Sequence, residues 1–168
     1  MQWGDRMRQT IGGTWLLGLM IVFIMLFVGF IVLTLNYSRT VRIKNEMIDM
    51  VEKYEGLNEQ SIELVNNYLI YTNYDVEGTC VSRGEDTTGI YGSKNLNNTN
   101  LEPVREGEKY YYCIKKYDGT NTTNYYQIMI FYKFNLPVIG DTSSFIIKGT
   151  TSNFQSNDED RYEDAIGD

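Results

Sequence analysis

The two cysteines, Cys80 and Cys113, are the residues whose type and number point most directly to a chemistry. An even pair of cysteines in a small exported domain commonly forms a disulfide. The alternative is a pair of buried free thiols in a cytosolic domain. We expect the disulfide, and this expectation places the part of the chain that carries both cysteines outside the cytoplasm.

Patterns typical of catalysis or nucleotide binding do not occur in the sequence. The chain has no histidine, which excludes Ser-His-Asp and Cys-His catalysis and histidine metal sites. Neither G-x-x-x-x-G-K-[ST] nor G-x-G-x-x-G occurs. Any acidic chain offers carboxylate pairs of the kind used in glycoside hydrolysis, but nothing singles out one pair here. We therefore expect that the protein is not an enzyme and uses no cofactor or metal ion.

The charge of the chain bears on its partners. A net charge of −7 disfavours nucleic-acid binding, because a phosphate backbone repels an acidic surface. Much of this charge falls in residues 155–168, which we expect to form an acidic, disordered tail. The tail lacks the D-x-[DN]-x-[DN]-G spacing of a calcium-binding loop, so a solvated tail is the preferred interpretation.

A long apolar stretch near the N-terminus predicts a membrane anchor. No charged side chain occurs between Arg8 and Arg39, and residues 14–35 are almost wholly apolar. A spanning helix needs about 20 such residues. Trp15 and Tyr37 suit the aromatic belts at the membrane surfaces. A cleaved secretory signal is the main alternative. The apolar stretch exceeds the core of such a signal, which is about 7–15 residues long, and no A-x-A-like cleavage site follows the stretch.

The orientation of the anchor depends mainly on the cysteines. Basic residues flank both ends of the apolar stretch, so the positive-inside rule barely separates the two orientations. The expected disulfide favours residues 1–13 in the cytoplasm and the C-terminal domain outside, with the helix in the cell membrane. Thr14 and Gly18 form a small-xxx-small pair that would let two membrane helices approach closely.

The helix is predicted to continue beyond the lipid. No Gly or Pro occurs from residue 37 to residue 54, and a break near Asn36 is the alternative. Apolar side chains recur there at steps typical of one helix face, namely Val41, Met47, Ile48, Val51 and Tyr54. Gly56 is expected to end this helix. Asn58 is a good N-cap for a second helix that ends near Tyr71.

Strands are predicted after residue 75. We expect a short strand over 76–82, a long loop over 84–107, strands over 109–117 and 124–134, and one more over 145–148. Asp118-Gly119 between two β-rich runs indicates a hairpin. On the second long strand, one face carries the expected core residues Tyr126, Ile128, Ile130, Tyr132 and Phe134.

The fold class predicted for residues 36–154 is therefore α+β, with a small antiparallel sheet packed on the amphipathic helix. The tyrosines at 110–112 and 125–126 allow two interpretations. They either form an exposed aromatic surface that contacts a partner or pack in the core, and we favour the core.

This layout resembles that of type IV pilins and pseudopilins, and within them the TadE-like pseudopilins of tight-adherence pilus systems. The stretches NYSRTVRIKNEMIDMVEKY (36–54) and FNLPVIGDTSSFIIKG (134–149) are similar to theirs. The resemblance implies processing after Gly12 or Gly13. The family's glutamate five residues later is missing, since those positions hold Leu17 and Gly18. This departure favours a minor, uncleaved or filament-base component.

Three classes of function follow. The first is a pseudopilin-like structural component of a pilus or secretion apparatus, whose partners are the lipid bilayer and other pilin-like subunits or apparatus membrane proteins in an oligomer. The second is a membrane-tethered domain that binds a ligand or a protein partner. The third, an anchored enzyme, is the least favoured.

Overall fold

The structure of the protein is a computed structural model that describes residues 3–81, 84, 86–118, 123–136 and 140–155. Side chains are described over residues 14–81, 84, 86–118, 123–133 and 144–154. The chain forms two compact units, Met1–Tyr37 and Ser38–Asp168. We call residues 14–35 the apolar segment and residues 38–155 the head. Residues 156–168 of the predicted tail lie outside the described residues.

Helix α1 spans Trp3–Lys53 and includes the whole apolar segment. Its C-terminus is closed by two backbone hydrogen bonds that satisfy carbonyls of the last turn. The Gly56 N–H donates to Val51 at 3.0 Å and the Glu55 N–H donates to Glu52 at 3.0 Å. The residue in the left-handed conformation is Glu55 (φ 55°), where a glycine is the usual choice. Gly56 follows it, so the helix ends close to the predicted place.

Helix α2 spans Glu59–Tyr71, as the sequence predicted. Asn58 caps it through a reciprocal pair of bonds. The Ser61 N–H donates to Asn58 Oδ1 at 2.8 Å, and the Asn58 N–H donates to Ser61 Oγ at 2.9 Å. The buried face of α2 includes Ile62, Val65 and Leu69. This face packs in the same core as the α1 residues Met47 and Val51.

The sheet of the head is antiparallel throughout, in the order β2-β1-β3-β4-β5, with β6 also paired to β4. Its strands are β1 (Ile90–Ser93), β2 (Glu102–Pro103), β3 (Tyr112–Asp118), β4 (Thr123–Leu136), β5 (Gly140–Thr150) and β6 (Phe154–Gln155). The predicted α+β class and the β3–β4 hairpin are confirmed, and the predicted last strand is longer at both ends.

Two sequence predictions about the region before β3 are wrong. Of the predicted strand over 76–82, the described residues 76–81 belong to no strand and pair through the isolated bridge between Gly78 and Tyr110. The predicted loop over 84–107 contains both β1 and β2. The sequence did not predict β1, because the strand contains Gly92 and glycine is a poor strand former. Gly92 is needed there because a Cβ would lie 2.4 Å from the Tyr110 ring.

The head has a core on each face of the sheet. The larger core joins α1, α2 and one sheet face, and it contains the predicted Tyr126, Ile128 and Ile130. The smaller core covers the other face around Met129 and Phe131, which are 1% and 0% exposed. The sequence assigned one face of β4 to the core, whereas both faces are buried over its middle. The predicted Tyr132 is buried too, and the side chain of Phe134 lies outside the described residues.

Candidate functional site

The apolar segment has no cover within its own unit. Its large side chains are exposed from Trp15 to Leu35, with values of 36% to 70%. Within the part of the chain that the structure describes, α1 is the one helix long and apolar enough to cross a membrane. Thr14 lies on the exposed surface of this helix, and a Cβ added at Gly18 would meet nothing within 4 Å. Gly12 and Gly13 lie within α1, and processing after either of them stays a prediction.

The two cysteines form the predicted disulfide. Cys80 and Cys113 have Cα atoms 6.0 Å apart and are 3% and 0% exposed. The bond lies in the smaller core and closes a loop with a sequence separation of 33 residues. Gly78 makes the close packing nearby possible, because a Cβ there would lie 2.2 Å from the Phe131 ring. Burial of both sulfur atoms points to a structural bond rather than an exchanging one.

Tyr74 makes a pair of buried contacts that the sequence did not predict. Its hydroxyl donates to the Phe131 carbonyl at 2.7 Å and accepts from the Phe131 N–H at 2.9 Å. Strand β3 begins at Tyr112, which pairs with Ile130, so Phe131 is the first β4 residue outside the β3 pairing. The Tyr74 hydroxyl therefore bonds to the two Phe131 backbone groups that a neighbouring strand would otherwise pair with. Burial raises the pKa of Tyr74 well above its ordinary value, so the hydroxyl stays neutral.

Asn66 links three parts of the head through one buried amide. Its Oδ1 accepts from the Tyr112 hydroxyl at 2.9 Å, and its Nδ2 donates to the Asn98 carbonyl at 2.6 Å. Burial raises the pKa of Tyr112, which keeps this donor protonated. Beside Asn66 is a groove of about 460 Å³ between α2 and the loop before β2. It is lined by Glu59, Glu63, Asn66, Asn67, Ile70 and residues 96–100.

A group of charged residues surrounds the hydroxyl of Tyr110 near β1 and β2. Lys94 Nζ lies 2.7 Å from Glu102 and 2.8 Å from Glu108, and the Tyr110 hydroxyl donates to Glu108 at 2.8 Å. The hydrogen bond from Lys94, and then that from Tyr110, lowers the pKa of Glu108. The three charged side chains are 34% to 55% exposed, so their ion pairs orient the β1–β2 edge and contribute little to stability.

The described residues contain no group of three or more His, Cys, Asp or Glu side chains placed to hold a metal ion. Of the predicted site residues, the structure joins the two cysteines. It leaves the Thr14–Gly18 pair as a prediction about contacts between chains. The residues that the sequence analysis missed are Tyr74 and Asn66. Their partners lie 57 and 32 to 46 positions away, and no local pattern reveals such pairs.

No protein-family model, curated protein or solved structure matches the chain. The fold and the site therefore define the class of protein coarsely. It is an α+β protein with a disulfide-bonded head and one helix that is a candidate membrane span.

Proposed function

We propose that this chain is a membrane-anchored, pilin-like structural subunit of a tight-adherence or type IV pilus, or of a related secretion apparatus. The observation that carries the proposal is the apolar segment, whose side chains are exposed over residues 14–28 and 30–35. Such a surface is not stable in water and needs lipid or other helices around it. In a subunit that moves from the membrane into a filament, this segment is surrounded first by lipid and then by the helices of other subunits.

The continuation of α1 supports the same proposal. Ile43, Met47 and Val51 are 3% exposed or less within the core of the head. This part of α1 is therefore occupied by the head's own sheet and α2. The apolar segment remains available for contacts with lipid and with other subunits, and Thr14 and Gly18 are its candidate close-approach residues. The function proposed is assembly, without catalysis and without a cofactor.

The proposed orientation has residues 1–13 in the cytoplasm and the head outside the cell membrane. The Cys80–Cys113 disulfide supports it, because such bonds persist in oxidising compartments. A reporter that is active only outside the cytoplasm, fused after Phe154, should be active in cells. Activity of a cytoplasmic reporter at that site, with the first reporter silent, would overturn the orientation.

A second candidate function is a solitary tethered domain that binds a ligand or protein through the groove beside α2. The feature favouring it is a 460 Å³ groove with amide and carboxylate groups in its lining. Under this alternative the apolar segment is only an anchor and makes no specific helix contacts.

Crosslinking in native membranes separates the two candidates. Single cysteines placed along residues 16–28 should form crosslinks that recur every three to four positions, because one helix face would meet a neighbour. The matched controls are cysteines at exposed head positions away from the groove, such as Lys53. Absence of crosslinks at every segment position, with the chain expressed beside its genomic neighbours, would contradict assembly and favour the tethered domain.

A further inference from the structure

A polar groove in the head has no part in the assembly proposed above. It is the groove of about 460 Å³ between α2 and the loop before β2, and its volume is within the range of ligand sites. Its first wall is one face of α2, because Glu59, Glu63, Asn66 and Ile70 follow one another at steps of three to four residues. Its second wall is residues 96–100 of the loop. Both walls belong to the head.

Contacts with the core hold the two walls in place. Asn66, which is 2% exposed, donates to the Asn98 carbonyl at 2.6 Å and accepts from the Tyr112 hydroxyl at 2.9 Å. On either side of Asn98, Leu96 packs against the larger core and Leu101 is buried within it. A loop fixed at three points keeps its shape without a ligand, so little entropy is lost in ordering it when a ligand binds.

The charge of the groove is negative. Glu59 and Glu63 are exposed carboxylates, four positions apart on the α2 wall. Among the described residues that line the groove, none is Lys or Arg, so the lining itself supplies no opposite charge. Electrostatic complementarity therefore favours a ligand that carries a positively charged group.

The other polar groups of the lining are amides, and they indicate a peptide. A carboxamide has one acceptor and two donors, so it can pair with both the C=O and the N–H of a main chain. None of the described lining residues is aromatic, so the groove offers no ring on which a nucleobase or a sugar would stack. The exposed amides are those of Asn67, Asn97, Asn98 and Asn100.

The length of the groove suits a short stretch of extended chain. From Glu59 to Ile70 the α2 wall is about 16 Å long, which matches about five extended residues. In recognition of extended peptides, hydrogen bonds to the main chain give affinity and contacts with side chains give specificity. The groove has amides for the first and carboxylates for the second.

We propose that this groove binds an extended segment of a partner polypeptide that carries a Lys or Arg side chain. The exposed amides bond to the backbone of the segment, and Glu59 and Glu63 bind its basic side chain. The inference concerns the head alone and does not depend on how the apolar segment is used. It names the class of ligand for the second candidate function, and it holds equally if the chain assembles through its helix.

Fluorescence anisotropy of the full chain in detergent micelles tests the charge preference with two labelled pools of capped heptapeptides. One pool has Arg at its centre and the other has Gln, and the remaining positions hold mixed uncharged residues. The Arg pool should bind at least about threefold more tightly at low salt. Glu59→Gln with Glu63→Gln should bring the pools within about 1.5-fold of each other. The control, Glu46→Gln with Glu55→Gln, removes the same charge at exposed positions outside the lining and should keep the preference.

Asn67→Ala with Asn98→Ala tests the bonds to the peptide backbone. This variant should weaken the binding of both pools by a similar factor of at least about threefold, because the amides contact the main chain that both pools share. Far-ultraviolet circular dichroism checks that each variant is folded.

Three outcomes would overturn the proposal. The first is binding of both pools that is unchanged by the asparagine substitutions. The second is an Arg preference that persists without Glu59 and Glu63, or that the control variant loses to the same extent. The third is that neither pool binds the native chain. None of these outcomes bears on crosslinking between apolar segments, so failure of this inference is distinguishable from failure of the proposed assembly.

Discussion

In the head, the side chain of a single residue can bond to backbone groups that the strands leave unpaired. Strand β3 begins at Tyr112, opposite Ile130, and the next β4 residue, Phe131, is fully buried. Its N–H and C=O groups both bond to the Tyr74 hydroxyl. Buried backbone groups without partners cost as much as lost hydrogen bonds. One phenol thus takes the place of a longer β3.

Tyr74→Phe should lower the free energy of unfolding by about 1–3 kcal/mol, because it leaves two buried backbone groups unpaired while the ring stays in place. Urea unfolding of the full chain in detergent micelles, followed by near-ultraviolet circular dichroism, measures the change. Tyr71→Phe is the matched control. It removes the same hydroxyl from a side chain that is 87% exposed, and it should change stability little. Equal effects of the two variants would contradict the assigned role of Tyr74.

At the scale of elements, both helices of the head end by the same device. In α1 the left-handed residue is Glu55, and in α2 it is Asn73 (φ 52°). In α2 the Tyr74 N–H donates to Leu69 and the Asn73 N–H donates to Ile70, both at 3.0 Å. This ending turns the chain so that Tyr74 enters the core. Asn tolerates the left-handed conformation better than Glu, so the α1 ending is the more strained of the two.

Glu55→Gly should therefore raise the free energy of unfolding by about 0.5–1 kcal/mol, since glycine adopts positive φ without a clash of Cβ. Glu55→Ala removes the same charge but keeps Cβ, and it should give no such gain. Thermal unfolding of the two variants side by side separates the backbone effect from the charge effect. A gain of the same size in both would show that charge, not backbone conformation, limits stability at this helix end.

At the scale of the whole molecule, the head has a covalent bond inside its smaller core. The disulfide joins Cys80, in a segment that pairs with the rest of the head through the Gly78–Tyr110 bridge, to Cys113 on β3. The segment contributes Cys80 and Val81 to the smaller core, which contains eight buried residues against fourteen in the larger, counted over the side chains that the structure describes. We expect that so small a core depends on the covalent bond for much of its stability.

Replacing both cysteines by serine should lower the free energy of unfolding by about 3–4 kcal/mol, the chain-entropy value for a loop of this length. Reduction of the native protein under denaturing conditions should give a similar loss. Mass spectrometry of unreduced peptides checks that the bond is present in protein from the envelope. Free thiols at both positions in that material would contradict the disulfide, and with it the main support for an external head.

The sequence by itself determined the features that depend on neighbours within a few residues. These are the apolar segment, the N-cap and length of α2, the end of α1 near Gly56 and the β3–β4 hairpin. The disulfide also followed from the sequence, because only one pairing of two cysteines exists. The helix, cap and hairpin patterns involve residues close together in the chain, and the two cysteines allow only one pairing.

Only the tertiary structure decided what depends on distant partners. β1 is a strand because β3 pairs with it, although its own composition is typical of a loop. Both faces of β4 are buried because the segment around Cys80 covers the second one, whereas the sequence pattern allowed a single buried face. Tyr74 and Asn66 gain their roles from groups that are 57 and 46 positions away. Hydrogen bonds and packing of this kind are set by the folded geometry, which residue order along one element does not encode.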